Sequence, residues 1–152
     1  MKLKKDNQKT ISLDELCEIK RGNTITKAQV AEGNIPVIAS AIGPSYYHNQ
    51  FNREGEIITI SASGNAGFVN FYSNPIYASD CITIQPLSKN NLNLRFIFYS
   101  LKAKQNAIMS FQRGTAQAHI YPKDLISFKI FYPTVEEQTQ IAELFQSIET
   151  AI

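Results

Sequence analysis

An α/β fold of the α+β kind is what this 152-residue sequence predicts: a mixed, largely antiparallel β-sheet with short helices, followed by a C-terminal coiled-coil-type helix. Three observations lead there. Residues 56–73, EIITISASGNAGFVNFYS, hold two β-branched and aromatic runs around Gly64-Asn65, the signal of a β-hairpin. From Leu94 the period changes, and Leu94, Ile97, Phe98, Leu101 and Ile108 recur at helical spacing. At the end of the chain Ile141, Phe145, Ile148 and Ile152 follow a 4-3-4 step, the narrow seam of a coiled coil rather than a broad core-facing stripe.

The elements follow in order. SLDELCEIKRG (12–22) predicts a short helix: Ser12 and Glu15 form a capping box, Leu13, Leu16 and Ile19 share a face, and Gly22 ends it. Lys20 and Arg21 then sit at its C-terminal end, where the helix dipole favours cations. NTITKAQVAEG reads as a loop and IPVIAS as a short buried strand. AIGPSYYHNQFNREG (41–55) reads as a long irregular link, and beyond the hairpin NPIY is a turn and ASDCITIQP a further strand. Asn91 is placed as the cap of the helix that follows. QRGTAQAHIYPKDL then sets long polar side chains just before the strand SFKIFYP, and Pro133 hands over to the last helix.

With 43% apolar, 18% charged and 11% aromatic residues, the chain has the composition of one globular domain with a real core. Cys17 and Cys81 stand in no metal-ligand spacing, the N-terminus lacks the apolar stretch of a secretion signal, and no run reaches membrane-spanning length, so a cytoplasmic protein is expected. Net charge is only +2, but its distribution is uneven. Every one of the 15 Lys and Arg residues precedes residue 134, whereas the tail carries Glu136, Glu137, Glu143 and Glu149. A basic body with an acidic tail implies two surfaces with different work. The expected division is a body over residues 1–133 and a spacer or dimerisation helix over 134–152. The helix stops uncapped on a seam residue, as a shortened chain or one piece of a longer assembly would.

Catalytic patterns are weak. SNPIY (73–77) resembles the Asn-Pro-Pro-Tyr loop of amino-methyltransferases acting on DNA bases, but Ile76 replaces the second proline and no glycine-rich strand-to-helix turn accompanies it. His48 and His119 make no metal spacing, and no nucleophile elbow frames Ser61, Ser63 or Cys81. SASGNAG joins strand to strand and lacks the lysine of a phosphate loop, so turn geometry accounts for it. Neither a metal nor a cofactor is expected.

The ordered series LDELCEIKRGNTIT, EGNIPVIAS, ITISASGNAGFVNFYSNPIYASDC, FYSLKAKQNAIMSFQRGTAQAHIYPKDLISFKI and YPTVEEQTQIAELF resembles a target recognition domain of the type I restriction-modification specificity subunit, from about residue 11 onward. GTAQAHIYPKDL followed by P-x-x-E-E-Q-x-x-I-A carries most of that resemblance. It implies a non-catalytic subunit that recognises double-stranded DNA sequence-specifically and positions methyltransferase and restriction subunits on it. A full-length subunit has two such domains separated by long helices, so this chain matches one domain and the beginning of a spacer. It departs from the pattern in length and at Phe145 and Glu149, where Leu and Asp are expected.

The resemblance makes Arg113, Thr115, Gln117, His119 and Lys123 candidate DNA contacts, although the stretch would serve equally as architecture. Base reading is expected chiefly around residues 40–53 and NTITK: Tyr46, Tyr47, His48 and Asn49 for bases, with Lys20, Arg21, Lys27 and Arg53 for phosphates. Ile141, Phe145, Ile148 and Ile152 are expected to meet a partner helix, from a second recognition domain or a second copy. The alternatives are the recognition domain of a single-chain restriction-methyltransferase and a β-rich protein-binding module.

Overall fold

The computed structural model describes residues 9–88, 91–114 and 116–152. In chain order the elements are β1 (Thr10–Ser12), α1 (Leu13–Leu16), β2 (Cys17–Arg21), β3 (Ile35–Ile38), β4 (Tyr46–His48), β5 (Ile57–Ser61), β6 (Val69–Tyr72), β7 (Tyr77–Ala78), β8 (Cys81–Pro86), α2 (Leu94–Ala103), α3 (Gln105–Met109), β9 (Lys129–Phe131) and α4 (Val135–Ala151). Single 3-10 turns cover Lys27–Gln29 and Pro122–Asp124. The main sheet has the order β2-β8-β5-β6, a second has β4-β3-β7, and β1 pairs with β9. Every strand pair is antiparallel except β3 with β7.

β5 explains why EIITIS reads as an unbroken apolar run. It lies between β8 and β6, and both of its faces are covered. Ile58 and Ile60 join the large core beneath α2, with Ile82, Ile84, Ile97 and Leu101. Ile57 points the other way, into a smaller cluster with Ile38, Ile76, Ala78 and Cys81. Period-2 alternation thus feeds two cores from one strand. Each buried isoleucine contributes about 1.5–3 kcal/mol relative to exposure.

Three expectations are corrected. The first helix is a single turn, and residues 17–21 form β2, paired with β8 from Cys17↔Pro86 to Arg21↔Ile82. The capping contact survives, with the Ser12 amide donating to Glu15 Oε2 at 2.9 Å, but one turn of helix cannot compete with a five-residue ladder. Gly22 is not a helix stop; a Cβ there would lie 2.2 Å from the Ser79 carbonyl oxygen, so only glycine lets β2 pass the β7–β8 turn. Residues 46–48 are a strand, with His48 opposite Ile35 and Tyr46 opposite Val37. Finally, Asn93 rather than Asn91 caps α2, its side chain accepting from the Phe96 amide at 3.1 Å, while Asn91 takes φ +63°.

The last helix begins inside the body. Gln138 is fully buried: its Oε1 accepts from the Asn93 amide at 2.9 Å and its Nε2 donates to the Pro133 carbonyl at 2.9 Å. Ala142 is buried and Ile141 packs against the main core. Phe145 stacks on Tyr99 at 5.3 Å, and the Tyr99 hydroxyl donates to Glu149 at 2.8 Å. The seam therefore divides. Its first residue packs against the domain core, whereas Phe145, Ile148 and Ile152 are exposed, as is Leu144 beside them.

Candidate nucleic-acid interface

The β5–β6 turn, residues 62–68, is the point on which the candidate segments meet. On one side the Asn65 amide donates to the Ser40 carbonyl at 3.4 Å, and Gly64, at φ +60°, lies against Ser40. On another, the Ile120 amide donates to the Ala62 carbonyl at 3.0 Å and Gln112 Nε2 to the Ala66 carbonyl at 2.6 Å. Asp80, from the β7–β8 turn, accepts from Ser63 Oγ and pairs with Arg21. The hairpin thereby binds residue 40, the 112–120 stretch and the end of β2 into one surface.

The link between β3 and β5 is held from inside. Arg53 is 8% exposed and spends its guanidinium on the fold: Nε donates to Thr83 Oγ1 at 2.9 Å, Nη1 to the Asn52 carbonyl at 2.9 Å and Nη2 to the Arg21 carbonyl at 3.1 Å. His48 is 6% exposed; its Nδ1 accepts from the Ala31 amide at 3.0 Å and its ring meets Tyr77 edge-on at 5.4 Å. Asn52 holds both polar groups of Ala78, donating to its carbonyl at 2.9 Å and accepting from its amide at 2.6 Å. Arg53 and His48, expected on the phosphate and base side, are thus buried and find polar partners within the fold. Tyr46 is half-buried, while Tyr47 (57% exposed), Asn49 and Phe51 remain on the surface.

Lys20 and Lys27 are exposed. The loop between them is fastened by Ile25, whose amide donates to Ser79 Oγ at 3.0 Å, and by Thr26, whose amide donates to Gln29 Oε1 at 2.8 Å.

The 112–124 stretch is built differently. Arg113 and His119 exchange two backbone hydrogen bonds, at 2.9 and 2.8 Å, with Gly114 at φ +105° inside the bend. The Arg113 guanidinium pairs with Asp124, whose other oxygen accepts from the Tyr121 amide at 2.9 Å. The His119 ring stacks on Tyr121 at 6.2 Å, and Lys123 Nζ lies 5.6 Å from the same ring. Gln117 and Lys123 are exposed; Thr115 lies outside the described residues.

Sequence reasoning missed Asp80 and Asp124, and weighed Ser63 only as a nucleophile. For Asp124 a signal existed, since Tyr121-Pro-Lys-Asp has the spacing of a capped turn. Asp80 had none, because its partners Ser63 and Arg21 lie 17 and 59 residues away.

Burial pushes both thiols, Cys17 and Cys81, up to about 12, so neither is a thiolate near neutral pH. Among the described residues no group of three His, Cys, Asp or Glu side chains gathers that could hold a metal ion. Asn74 and Pro75 lie in the short connection to β7, and Ile76 is buried. Nor is any helix among these residues long and apolar enough to cross a membrane.

The family model described as the type I restriction modification DNA specificity domain matches residues 5–152. The chain belongs to that family. Among relatives of this specificity domain, a Mycoplasma pneumoniae protein named as a type I specificity subunit is 26% identical over 148 residues, which cover 92% of this chain and 47% of that protein. The type I restriction enzyme MjaVIII specificity subunit of Methanocaldococcus jannaschii is 30% identical over 99 residues, 65% of this chain and 23% of its own. The crystal structure of a type I restriction-modification system S subunit from M. genitalium shares the fold, with a TM-score of 0.85 at 24% identity over 99% of this chain and 41% of that one. A chain from a structure describing complex assembly and conformational transition of the type I R-M system has a TM-score of 0.74 at 20% identity, covering 94% of this chain and 38% of its own. The specificity-domain chain described here spans less than half the length of each of these proteins.

Proposed function

We propose that this chain is one target recognition domain of a type I specificity subunit, reading duplex DNA sequence-specifically and performing no catalysis itself. The observation that carries the reading is the gathering of three polar segments on one β-hairpin of a DNA specificity domain. To this reading we assign the exposed Lys20, Lys27 and Lys123 for phosphates, and the exposed Tyr47, Asn49, Arg113 and Gln117 for base edges. His48 and Arg53, both buried, are assigned to the frame.

A salt titration on random duplex tests this. Three phosphate contacts give a slope of log affinity on log salt of about −3. Binding that ignores ionic strength would contradict the reading.

The body, residues 1–133, is proposed as the reader and residues 134–152 as the start of a spacer or dimerisation helix whose first turns are seated in that body. Methyltransferase and restriction subunits, and a second recognition domain or copy, are the partners this assigns. The exposed Leu144, Phe145, Ile148 and Ile152 support pairing with another helix, and Glu136, Glu137, Glu143 and Glu149 disfavour contact with phosphate. Ile148→Asp is expected to abolish self-association in sedimentation while leaving circular dichroism and DNA binding intact. Ile141→Asp is expected to destabilise the body as well, because Ile141 packs on the core.

A further inference from the structure

We infer that Asp80 and Asp124 are positioning residues for base reading: each carboxylate holds one partly exposed arginine, Arg21 or Arg113, in a fixed direction before DNA arrives. This rests on the DNA-reading role proposed above.

The two pairs are built on one plan. Asp124 has a side chain only 2% exposed, yet Arg113, which it holds, is 57% exposed. One Asp124 oxygen is committed to the Tyr121 amide and the other to the guanidinium, so the carboxylate cannot swing with the arginine. The backbone of Arg113 is fixed by its two hydrogen bonds with His119, and the next residue, Ile120, is tied to Ala62 of the hairpin. Asp80 likewise gives one oxygen to buried Ser63 and the other to Arg21, whose carbonyl is held from below by Arg53. Each acid thus spends one oxygen on the fold and one on an arginine that still reaches solvent.

Charge decides what such a pair is good for. A phosphate clamp works through net positive charge, and an adjacent carboxylate cancels most of it and repels the phosphate backbone. A base reader needs the planar fork aimed so that two N–H groups meet the guanine O6 and N7 together. Pairing with a fixed acid lowers the first property and raises the second, because fewer guanidinium orientations must be given up on binding. Lys20, Lys27 and Lys123 make no salt bridge among the described residues, so no carboxylate is paired with them. Arginines aimed by an acid are thus distinct from lysines that have no acidic partner among the described residues.

The test compares unaltered chain, Asp124→Asn, Asp80→Asn and Arg113→Lys in selection from randomised duplex and in titrations on selected and random sequences. Asparagine at 124 still offers an oxygen to the Tyr121 amide, so the turn is retained while the ion pair is lost. Both Asp→Asn variants are expected to bind random duplex roughly two- to fivefold more tightly at about 0.1 M salt, since a negative charge leaves the surface. Their preference for the selected sequence falls about tenfold or more. Arg113→Lys loses the preference similarly but keeps its random-duplex affinity. A purely structural role moves preference, affinity and melting temperature down together, and that pattern would overturn the inference, as would an unchanged preference. If the unaltered chain selects no sequence, the DNA-reading role itself fails.

Discussion

The link 40–53 and the stretch 112–124 look alike as sequence, each a polar, aromatic segment with one arginine and one histidine, yet the fold uses them in opposite ways. In the link Arg53 and His48 turn inward and hold together β2, β8 and the loop before β3. In the second stretch Arg113 keeps its side chain exposed beside Asp124, and the half-buried His119 ring lies on Tyr121. Residue type does not separate a frame residue from a contact residue; the availability of buried partners does.

The largest effect that this contrast predicts is on stability. Arg53→Met leaves the Thr83 hydroxyl and the Asn52 and Arg21 carbonyls without a donor, and is expected to cost about 2–4 kcal/mol. Arg113→Met takes the cation from a carboxylate that is itself almost buried but keeps the Tyr121 amide, and is expected to cost less, about 1–2 kcal/mol. Urea unfolding of the two variants compares them directly, and equal losses would erase the distinction.

The histidines repeat the contrast on a smaller scale. His48→Ala strips the Ala31 amide of its acceptor and removes a ring packed on Tyr77, for about 1–2 kcal/mol. His119→Ala is expected to leave the unfolding midpoint almost unmoved, because the backbone exchange with Arg113 survives the truncation.

On the exposed edge of the link, Tyr47→Ala is expected to lower discrimination among duplexes by about 1 kcal/mol with little change in stability. The smallest effect belongs to Lys27→Ala, which should weaken all sequences alike and reduce the salt slope by about 1. Reversed roles for Tyr47 and Lys27 in a randomised-site selection would show that the aromatic residue holds the backbone instead.

Much of this fold was legible because its strands and helices carry strong local periods: the hairpin about Gly64-Asn65, β8, α2 and α4 stand where the pattern puts them. The failures share one cause. CEIKR looks helical beside LDEL, but pairing with β8, more than sixty residues away, makes it a strand. Tyr46–His48 looks irregular until β3 is beside it. Ile141 reads as part of a free seam because no local signal shows that α4 starts against α2. The candidate surface follows the same rule. Exposed Lys27, Tyr47 and Gln117 could be named from residue type, whereas Asp80 and Ser63 acquire a role only once distant segments meet at the hairpin.

Amine labelling of the lysines with and without duplex tests most directly which face of the domain reads DNA. With duplex at low salt, Lys20, Lys27 and Lys123 are predicted to become protected, while Lys9, beside Tyr132, and Lys129, beside Ser12, label as before. Protection centred on Lys9 and Lys129, with the hairpin side still reactive, would place DNA on the wrong face and contradict the account.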